Sequence, residues 1–240
     1  VPKFNFVKNL QLDSSVFNSL ENKDIKLIDE NYEMENFSYS FESNDGNVEY
    51  AIITNQKIDI LKENDFKALS VKPVNLKQKL FTKAILSNIY DLLVIDAKAG
   101  SGKTLMSIVS AMRLIDLGLY DKIVYVRNSI ESLDKGADVG YLAGNDEKFR
   151  IYNMALSDTL EFVAKKQLKK IENKDNQESI ESKINELKSR YCIETLWPGE
   201  ARGRTLSSAI VIMDEWQNSS EKTTQLILSR LDESCMAIVI

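Results

Sequence analysis

A short glycine-rich segment at residues 99–102 separates two apolar runs of different period, and this arrangement constrains the fold most. The run at 92–95 is unbroken, which is typical of a parallel strand covered on both faces. After the glycines, residues 104–118 repeat apolar side chains at helical spacing and end at a glycine. A further apolar run at 122–127 completes a βαβ unit, so we predict an α/β fold with a mostly parallel sheet.

The glycine-rich segment also has the spacing of a phosphate-binding loop. Such a loop turns backbone N–H groups toward phosphate oxygens, adds a lysine, and supplies a hydroxyl for Mg²⁺. Lys103 and Thr104 provide the last two groups, and the helix that begins there adds its positive end. A chance Gly-Lys-Thr turn is the alternative, but the flanking strand and helix argue against it. The predicted nucleotide-binding residues of this loop are Ala97, Lys98, Ala99, Gly100, Ser101, Gly102, Lys103, Thr104 and Leu105.

A second motif, "AIVIMDEWQN", places two carboxylates directly after an apolar run at 209–213. Open α/β sheets bind ligands at the carboxyl ends of their strands. We therefore interpret Asp214 as the Mg²⁺-holding member of a Walker B pair and Glu215 as the base that orients the attacking water. Taken alone, Asp-Glu after a strand is more often a helix cap or surface charge. With Lys103, these two carboxylates are the predicted catalytic residues.

Gln78 is a third candidate for the nucleotide site. It lies in a predicted helix over residues 75–89, three residues after Asn75, which is well placed as the N-cap. In helicase-like ATPases a glutamine in this region reads the edge of adenine. The alternative for Gln78 is an ordinary exposed helix residue.

The composition excludes several kinds of site. Histidine is absent, which removes His-based catalysis, and two cysteines are too few for a four-Cys zinc site or a disulfide framework. A net charge of −5 argues against a surface coated for nucleic acid but permits a local basic patch. The chain has neither a membrane-length apolar run nor a signal pattern, so we expect a cytoplasmic protein without membrane contact.

The first seventy residues differ from the rest, and we predict a small antiparallel β module or linker over residues 1–70. Short alternating runs at 37–41 and 48–53 flank an Asp-Gly pair at 45–46, which is a strong hairpin signal. Residues 10–36 are polar and we expect them to be irregular. The aromatic side chains of the module are expected to form its core rather than a base-stacking platform: Phe37, Tyr39, Phe41 and Tyr50.

The remaining elements follow from local patterns. We predict a helix over about 147–165, a charged insertion over about 165–192, and a capped helix after the serines at 219–220. The insertion is interpreted as a solvated helical hairpin or mobile segment, with a nucleic-acid-binding arm as the alternative. The sequence starts without Met and stops in the apolar run 236–240, so we expect a fragment truncated at its C-terminal end.

From about residue 70 to 240 the chain resembles the PhoH-like ATPases, which are similar to the core of superfamily 1 helicases. The resemblance is carried by "VKPVNLKQKLFTKAI", "AKAGSGKTL", "ARGRTLSSAIVIMDEWQN" and "LILSRL". "RGRT" followed by the Walker B pattern is its most specific part, although Trp216 stands where the family usually has alanine. The resemblance implies a RecA-like P-loop NTPase core over residues 71–240.

The resemblance also implies ATP and Mg²⁺ as cofactors, ATP hydrolysis, homo-oligomeric rings such as hexamers, and action on RNA or single-stranded nucleic acid. Arg127, Arg202 and Arg204 would meet phosphates of the nucleotide or nucleic acid, with structural ion pairs as the alternative. Segment 48–70 is similar to the stretch that joins a PIN ribonuclease domain to the ATPase core in fused members. The sequence offers no acidic cluster suited to such a nuclease.

Three functions remain open on these residues. The main hypothesis is an ATPase that couples hydrolysis to nucleic-acid remodelling, with an arginine supplied by a neighbouring subunit. The alternative is a nucleotide-gated RNA-binding oligomer with negligible turnover, in which the loop "GADVGYLAG" and "ARGR" form the binding patch. A small-molecule kinase would have a similar phosphate loop, but the glutamate after Asp214 favours hydrolysis.

Overall fold

The computed structural model describes residues 7–34, 37–127, 153–171 and 177–240. The strands are β1 (Val7–Leu12), β2 (Ser38–Ser43), β3 (Val48–Thr54), β4 (Lys57–Ile60), β5 (Leu92–Val94), β6 (Lys122–Arg127), β7 (Glu194–Leu196), β8 (Ala209–Asp214) and β9 (Met236–Val239). The α-helices are α1 (Ser14–Phe17), α2 (Leu76–Ser87), α3 (Lys103–Asp116), α4 (Met154–Ile171), α5 (Gln177–Arg190) and α6 (Glu221–Leu228). Short 3₁₀ helices span Ile25–Leu27, Glu63–Phe66, Pro198–Ala201 and Trp216–Asn218.

The N-terminal module is a four-stranded sheet in the order β1-β2-β3-β4. The predicted antiparallel hairpin is present: β2 pairs with β3, and Gly46 at the turn has φ +82°. Strand β1, whose last three residues fall in the region expected to be irregular, pairs with β2 in parallel, so the sheet is mixed rather than wholly antiparallel. Tyr39 and Phe41 are fully buried and stack on each other, as a core role requires.

The second sheet has five strands in the order β5-β9-β8-β6-β7, and all of its pairings are parallel. This confirms the predicted α/β fold, and the arrangement is that of a RecA-like P-loop domain. The central strands β6, β8 and β9 are almost entirely buried, because helices and neighbouring segments cover both faces. Parallel pairing puts the carboxyl ends of β5 and β8 at the same edge of the sheet.

Two helices frame that edge. Helix α2 begins where its cap predicts, since Asn75 Oδ1 accepts a hydrogen bond of 2.9 Å from the Gln78 backbone N–H. Helix α3 starts at Lys103, directly after the glycine-rich turn, and the chain turns away at Gly118 with φ +76°. The helices pack on each other and bury the apolar side chains that the sequence pattern assigned to the core.

The charged segment near residues 165–192 forms the α4–α5 hairpin, with residues 172–176 outside the described part. Its outer face is polar, but Leu160, Ile180 and Leu187 are buried in the main core, so the hairpin packs against the domain. The predicted helix start at 147 and the "GADVGYLAG" loop lie outside the described residues. In the described ranges, no helix combines the length and apolar character needed to cross a membrane.

The module and the main domain share one hydrophobic core. Phe37, Ile52 and Phe66 belong to the same buried cluster as Leu80 of α2. Other side chains of the N-terminal module form a separate buried cluster that includes Tyr39, Phe41 and Ile58. Residues before 70 therefore pack against α2 rather than forming a free linker.

Candidate functional site

The two predicted Mg²⁺ ligands meet at the edge where β5 and β8 end. Thr104, at the start of α3, donates a hydrogen bond from Oγ1 to Asp214 Oδ2 over 3.1 Å. These residues are far apart in the chain and have no local reason to approach each other. A hydroxyl and a carboxylate oxygen are suitable ligands for Mg²⁺, which proteins hold with one or two such groups together with substrate phosphates. The described residues contain no cluster of three or more His, Cys, Asp or Glu that could hold a metal ion.

The phosphate loop has the backbone geometry that its glycines allow. Gly100 and Gly102 have φ values of +75° and +77°, a left-handed conformation that other L-residues rarely adopt. Gly102 is the N-cap residue of α3, so the positive end of a 14-residue helix opens onto the loop. Lys103 folds back over the loop, and its Nζ donates to the Ala97 carbonyl oxygen at 3.0 Å. The loop therefore presents a helix end and a lysine on one side, as an anion site requires.

Gln78 connects α2 to the phosphate loop. Its Nε2 donates to the Ser101 carbonyl oxygen at 2.7 Å, while its Oε1 accepts from the Val74 backbone N–H at 2.9 Å. A Cβ atom at position 102 would lie 2.8 Å from that same Nε2, so a side chain there would displace the Gln78 amide as well as strain the backbone at φ +77°. Gln78 is thus a half-buried clamp on the loop rather than an exposed helix residue. Its predicted contact with adenine stays a prediction.

Asp214 is held by three donors. Asp214 is only 1% exposed. Its Oδ2 accepts hydrogen bonds from the hydroxyls of Thr104 and Tyr125, and its Oδ1 accepts one of 2.8 Å from the Glu215 backbone N–H. Burial, and then the neighbouring Asp214 charge, raise the pKa of Tyr125 far above its ordinary value, so the phenol stays a proton donor. Sequence reasoning missed Tyr125, which read as one more core residue of the strand "KIVYVR".

Glu215 occupies a sharp turn after β8. Its backbone has φ +55° and ψ +41°, which is uncommon for a residue other than glycine and is often found at functional sites. The side chain is partly exposed, and its Oε2 accepts a hydrogen bond of 2.7 Å from Gln217 Nε2. Trp216 holds the turn in place through two hydrogen bonds. Its buried ring donates from Nε1 to Thr224 Oγ1 at 2.8 Å, and its backbone N–H donates to the Ile240 carbonyl oxygen. Glu215 is thereby fixed beside Asp214 at the sheet edge.

The three arginines lie in different surroundings. Arg127 ends β6 and is the register partner of Asp214, so its backbone lies at the edge of the site. Arg204 forms an ion pair of 2.5 Å with Glu194 of β7, which also accepts from Lys122 at 3.2 Å. Burial alone would raise the pKa of Glu194, but these two hydrogen bonds outweigh it and lower the pKa below its ordinary value. Arg202 is exposed, and contact of any of the three with phosphate stays a prediction.

Known proteins resemble this chain over the part that carries the site. The profile of the PhoH-like protein family matches residues 70–240. A PhoH-like protein of Bacillus subtilis (strain 168) is 31% identical over 166 residues, which cover 69% of this chain and 46% of that protein. Protein PhoH2 of the same strain is 28% identical over 173 residues, or 70% of this chain and 36% of its own length.

A more distant relative covers a similar region. Protein PhoH2 of Mycolicibacterium smegmatis is 24% identical over 177 residues, covering 73% of this chain and 37% of that protein. The chain thus spans less than half of the length of the curated relatives named here. The family match covers well over half of the chain and includes the phosphate loop, Thr104 and the Asp214-Glu215 pair. The chain therefore belongs to the PhoH-like protein family.

Proposed function

We propose that this protein binds ATP with Mg²⁺ and hydrolyses it. The observation that carries the proposal is the hydrogen bond between Thr104 and Asp214, which brings together the hydroxyl of the phosphate loop and the buried carboxylate of β8. Membership of the PhoH-like family supports the same function.

Each residue of the site has a separate task in this proposal. Lys103 and the N-terminal end of α3 bind the β and γ phosphates, while Thr104 and Asp214 hold the metal ion. Mg²⁺, when bound, neutralises charge on the phosphate oxygens. Tyr125 keeps the Asp214 carboxylate oriented, since both side chains are buried and joined by a hydrogen bond.

Glu215 is the proposed general base. Its Oε2 is occupied by Gln217, which fixes the carboxylate and leaves Oε1 to accept a proton from the attacking water. The left-handed turn at Glu215 aims the side chain differently from the buried Asp214 before it. Two adjacent carboxylates thus serve different functions, one on the metal ion and one on water.

ATP turnover tests the proposal. Wild-type protein is compared with Lys103→Ala and Glu215→Gln in the presence of Mg²⁺, with and without single-stranded RNA. We expect Lys103→Ala to lose nucleotide binding, and Glu215→Gln to bind ATP while losing turnover by about 100-fold or more. Wild-type protein that fails to bind ATP-Mg²⁺ would refute the proposed function. Binding without turnover, even with RNA, would instead favour the nucleotide-gated RNA-binding oligomer.

We further propose that hydrolysis is coupled to RNA or single-stranded nucleic acid and that the active form is a homo-oligomeric ring. Support comes from the family membership and from Arg127, whose backbone lies beside Asp214 at the edge of the site. In this arrangement a neighbouring subunit supplies an arginine to the phosphates. Turnover that rises with RNA and light scattering that shows an oligomer are the expected results, and a strictly monomeric active enzyme would contradict the ring.

A further inference from the structure

A cavity of about 380 Å³ lies away from the phosphate loop, between α3, the α4–α5 hairpin and the segment that follows the 3₁₀ helix Glu63–Phe66. Its floor is apolar and buried, formed by Leu69, Val109 and Met112. This volume is within the range of pockets that hold small molecules, which combine apolar walls with a few polar groups. The cavity is therefore large enough for one ligand of modest size.

The rim of this cavity is strongly basic although the chain as a whole is acidic. Acidic residues outnumber basic ones by 36 to 31 in the sequence. Around the cavity the ratio is reversed, since one acidic residue, Asp116, faces five basic ones: Lys67, Arg113, Lys170, Lys183 and Arg190. Such a reversal within one concave surface raises the local concentration of anions.

Two of the five cations are already neutralised by neighbours. Arg190 pairs with Asp116 at 2.9 Å, and Lys183 pairs with Glu186 at 2.9 Å. The other three reach the cavity from three different elements, and within the described ranges their side chains take part in no ion pair. Cations on the rim of one concave surface that have no acidic partner are available to pair with an anion bound in the cavity. The three are Lys67, Arg113 and Lys170.

We propose that this cavity binds a small phosphate ester with an apolar or aromatic body, of the size of a nucleoside monophosphate. Arg113, Lys67 and Lys170 hold the phosphate, since guanidinium and ammonium groups form charge-assisted hydrogen bonds with it. The body of the ligand packs on the floor of Leu69 and Met112.

The proposed site is distinct from the phosphate loop and does not depend on the ATPase proposal. Arg113 lies ten residues after Lys103 on α3, which at the helical rise is about 15 Å along the axis. Helix α3 therefore has the phosphate loop at its N-terminal end and the cavity toward its C-terminal end.

Calorimetric titration with adenosine monophosphate tests the proposal. The Lys103→Ala background is used so that the lysine of the phosphate loop cannot contribute. Adenosine and inorganic phosphate are titrated in parallel, because each offers half of the proposed ligand. The test variant is Arg113→Ala/Lys170→Ala, and the matched control is Lys26→Ala/Lys222→Ala, which removes two exposed cations elsewhere. Thermal melting checks that both double variants stay folded.

We expect the monophosphate to bind at least about tenfold more tightly than either half, and the test variant to lose at least about tenfold while the control loses little. Equal losses in the two double variants would overturn the proposal, because they would reflect general charge. Absence of monophosphate binding would also overturn it, as would phosphate binding as tightly as the ester. Binding of a single-stranded RNA oligomer at this basic rim, without binding of the monophosphate, would also overturn the proposal, because the ligand would then be a nucleic acid and not a small phosphate ester.

Discussion

Among single residues, Asp214 shows how much of the site is built by contacts that are invisible along the chain. Its carboxylate receives Thr104 from the start of α3, Tyr125 from the neighbouring strand, and the backbone N–H of Glu215. A buried carboxylate needs such donors, since an unpaired charge in the interior costs several kcal/mol. The same three bonds fix the direction in which the carboxylate points, as the proposed Mg²⁺ site requires.

Removing the Tyr125 hydroxyl should affect both stability and metal binding. In Tyr125→Phe, Asp214 loses one of the two donors to Oδ2, so we expect a loss of about 1–3 kcal/mol in the free energy of unfolding. We also expect the Mg²⁺-dependent affinity for a fluorescent ATP analogue to fall by roughly tenfold, because the carboxylate is less well oriented. Denaturant unfolding and Mg²⁺ titrations measure the two effects.

Tyr39→Phe is a closely matched control for this change. Tyr39 is also fully buried in a strand and donates to a carboxylate, Asp29 Oδ2, at 2.9 Å, but it lies in the N-terminal module. This variant should lose similar stability without any change in the Mg²⁺ dependence of nucleotide binding. If the two variants behaved alike in the Mg²⁺ titration, Tyr125 would have a purely structural role. A wild type that shows no Mg²⁺-dependent binding would instead refute the proposed function.

At the scale of elements, α2 supports the phosphate loop through Gln78. The amide uses both of its ends, accepting from Val74 and donating to Ser101. In Gln78→Glu the acceptor is kept but the donor is lost, and a carboxylate would face the Ser101 carbonyl. We therefore expect nucleotide affinity to fall by roughly tenfold in equilibrium binding, because a favourable contact becomes a repulsive one.

Lys77→Ala provides the comparison for Gln78→Glu. Lys77 is an exposed neighbour on the same helix, so its loss should leave nucleotide affinity nearly unchanged. Equal effects of the two substitutions would mean that the charge near the start of α2 matters rather than the clamp. Gln78→Glu with full affinity would show that the loop holds its shape without this contact.

Glu194 of β7 pairs with Lys122 of β6 and with Arg204 of the "RGRT" loop, and the stability that these ion pairs contribute should depend on pH. The folded pKa of Glu194 lies below its ordinary value of 4.5, because Arg204 and Lys122 outweigh the effect of burial. As the pH falls, Glu194 is therefore protonated in the unfolded chain before it is protonated in the folded protein. The stabilisation by this carboxylate is fully present above about pH 4.5 and is lost as the pH falls through the folded pKa. The melting temperature of the wild type should exceed that of Glu194→Gln at pH 7, and the difference should shrink between about pH 5 and 3.

A second substitution separates this effect from general charge removal. Glu233→Gln changes an exposed acid, so its melting temperature should follow the wild type at every pH. A gap between wild type and Glu194→Gln that stayed constant down to pH 3 would contradict the assignment of the stabilisation to this carboxylate.

The elements that the sequence predicts well are those whose signals are local. Strand β6 has the predicted limits, and α2 begins at the predicted cap, because apolar period and capping residues act within a few positions. Strand β1 was missed because its polar-looking sequence becomes a strand through parallel pairing with β2, which lies more than twenty residues later. Strand β7 spans three residues, too few to show a period.

For the whole molecule, the sequence predicted the motifs of the site but not the contacts that support it. The phosphate loop, Thr104 and Asp214 belong to short patterns whose chemistry is fixed by residue type. The contact of Gln78 with the loop and the hydrogen bond from Tyr125 depend on how α2 and β6 pack. The amino-acid sequence contains no local signal for this packing. For the same reason the sequence contains no signal that the module of residues 1–70 shares a core with the main domain.

The junction between the N-terminal module and the main domain depends on Lys83 of α2. Its side chain is 7% exposed and pairs with Asp59 at 3.0 Å and with Asp65 at 2.8 Å. One turn earlier on the same helix, Lys79 pairs with Glu63, whose side chain is 81% exposed. The two lysines make chemically similar bridges that differ in burial. This difference provides a direct test of what joins the two sheets.

We expect Lys83→Ala to lower the free energy of unfolding by roughly 1–3 kcal/mol, because it removes a buried lysine that pairs with two partly exposed carboxylates. Lys79→Ala should cost less than about 1 kcal/mol, since an exposed pair contributes little. Both variants should still unfold in one transition, followed by circular dichroism and tryptophan fluorescence in denaturant, because the core cluster containing Phe37 and Leu80 crosses the junction. Equal losses in the two variants would show that burial at Lys83 contributes nothing. Two separate transitions in the wild type would show that the module and the RecA-like domain fold independently, despite the core they share.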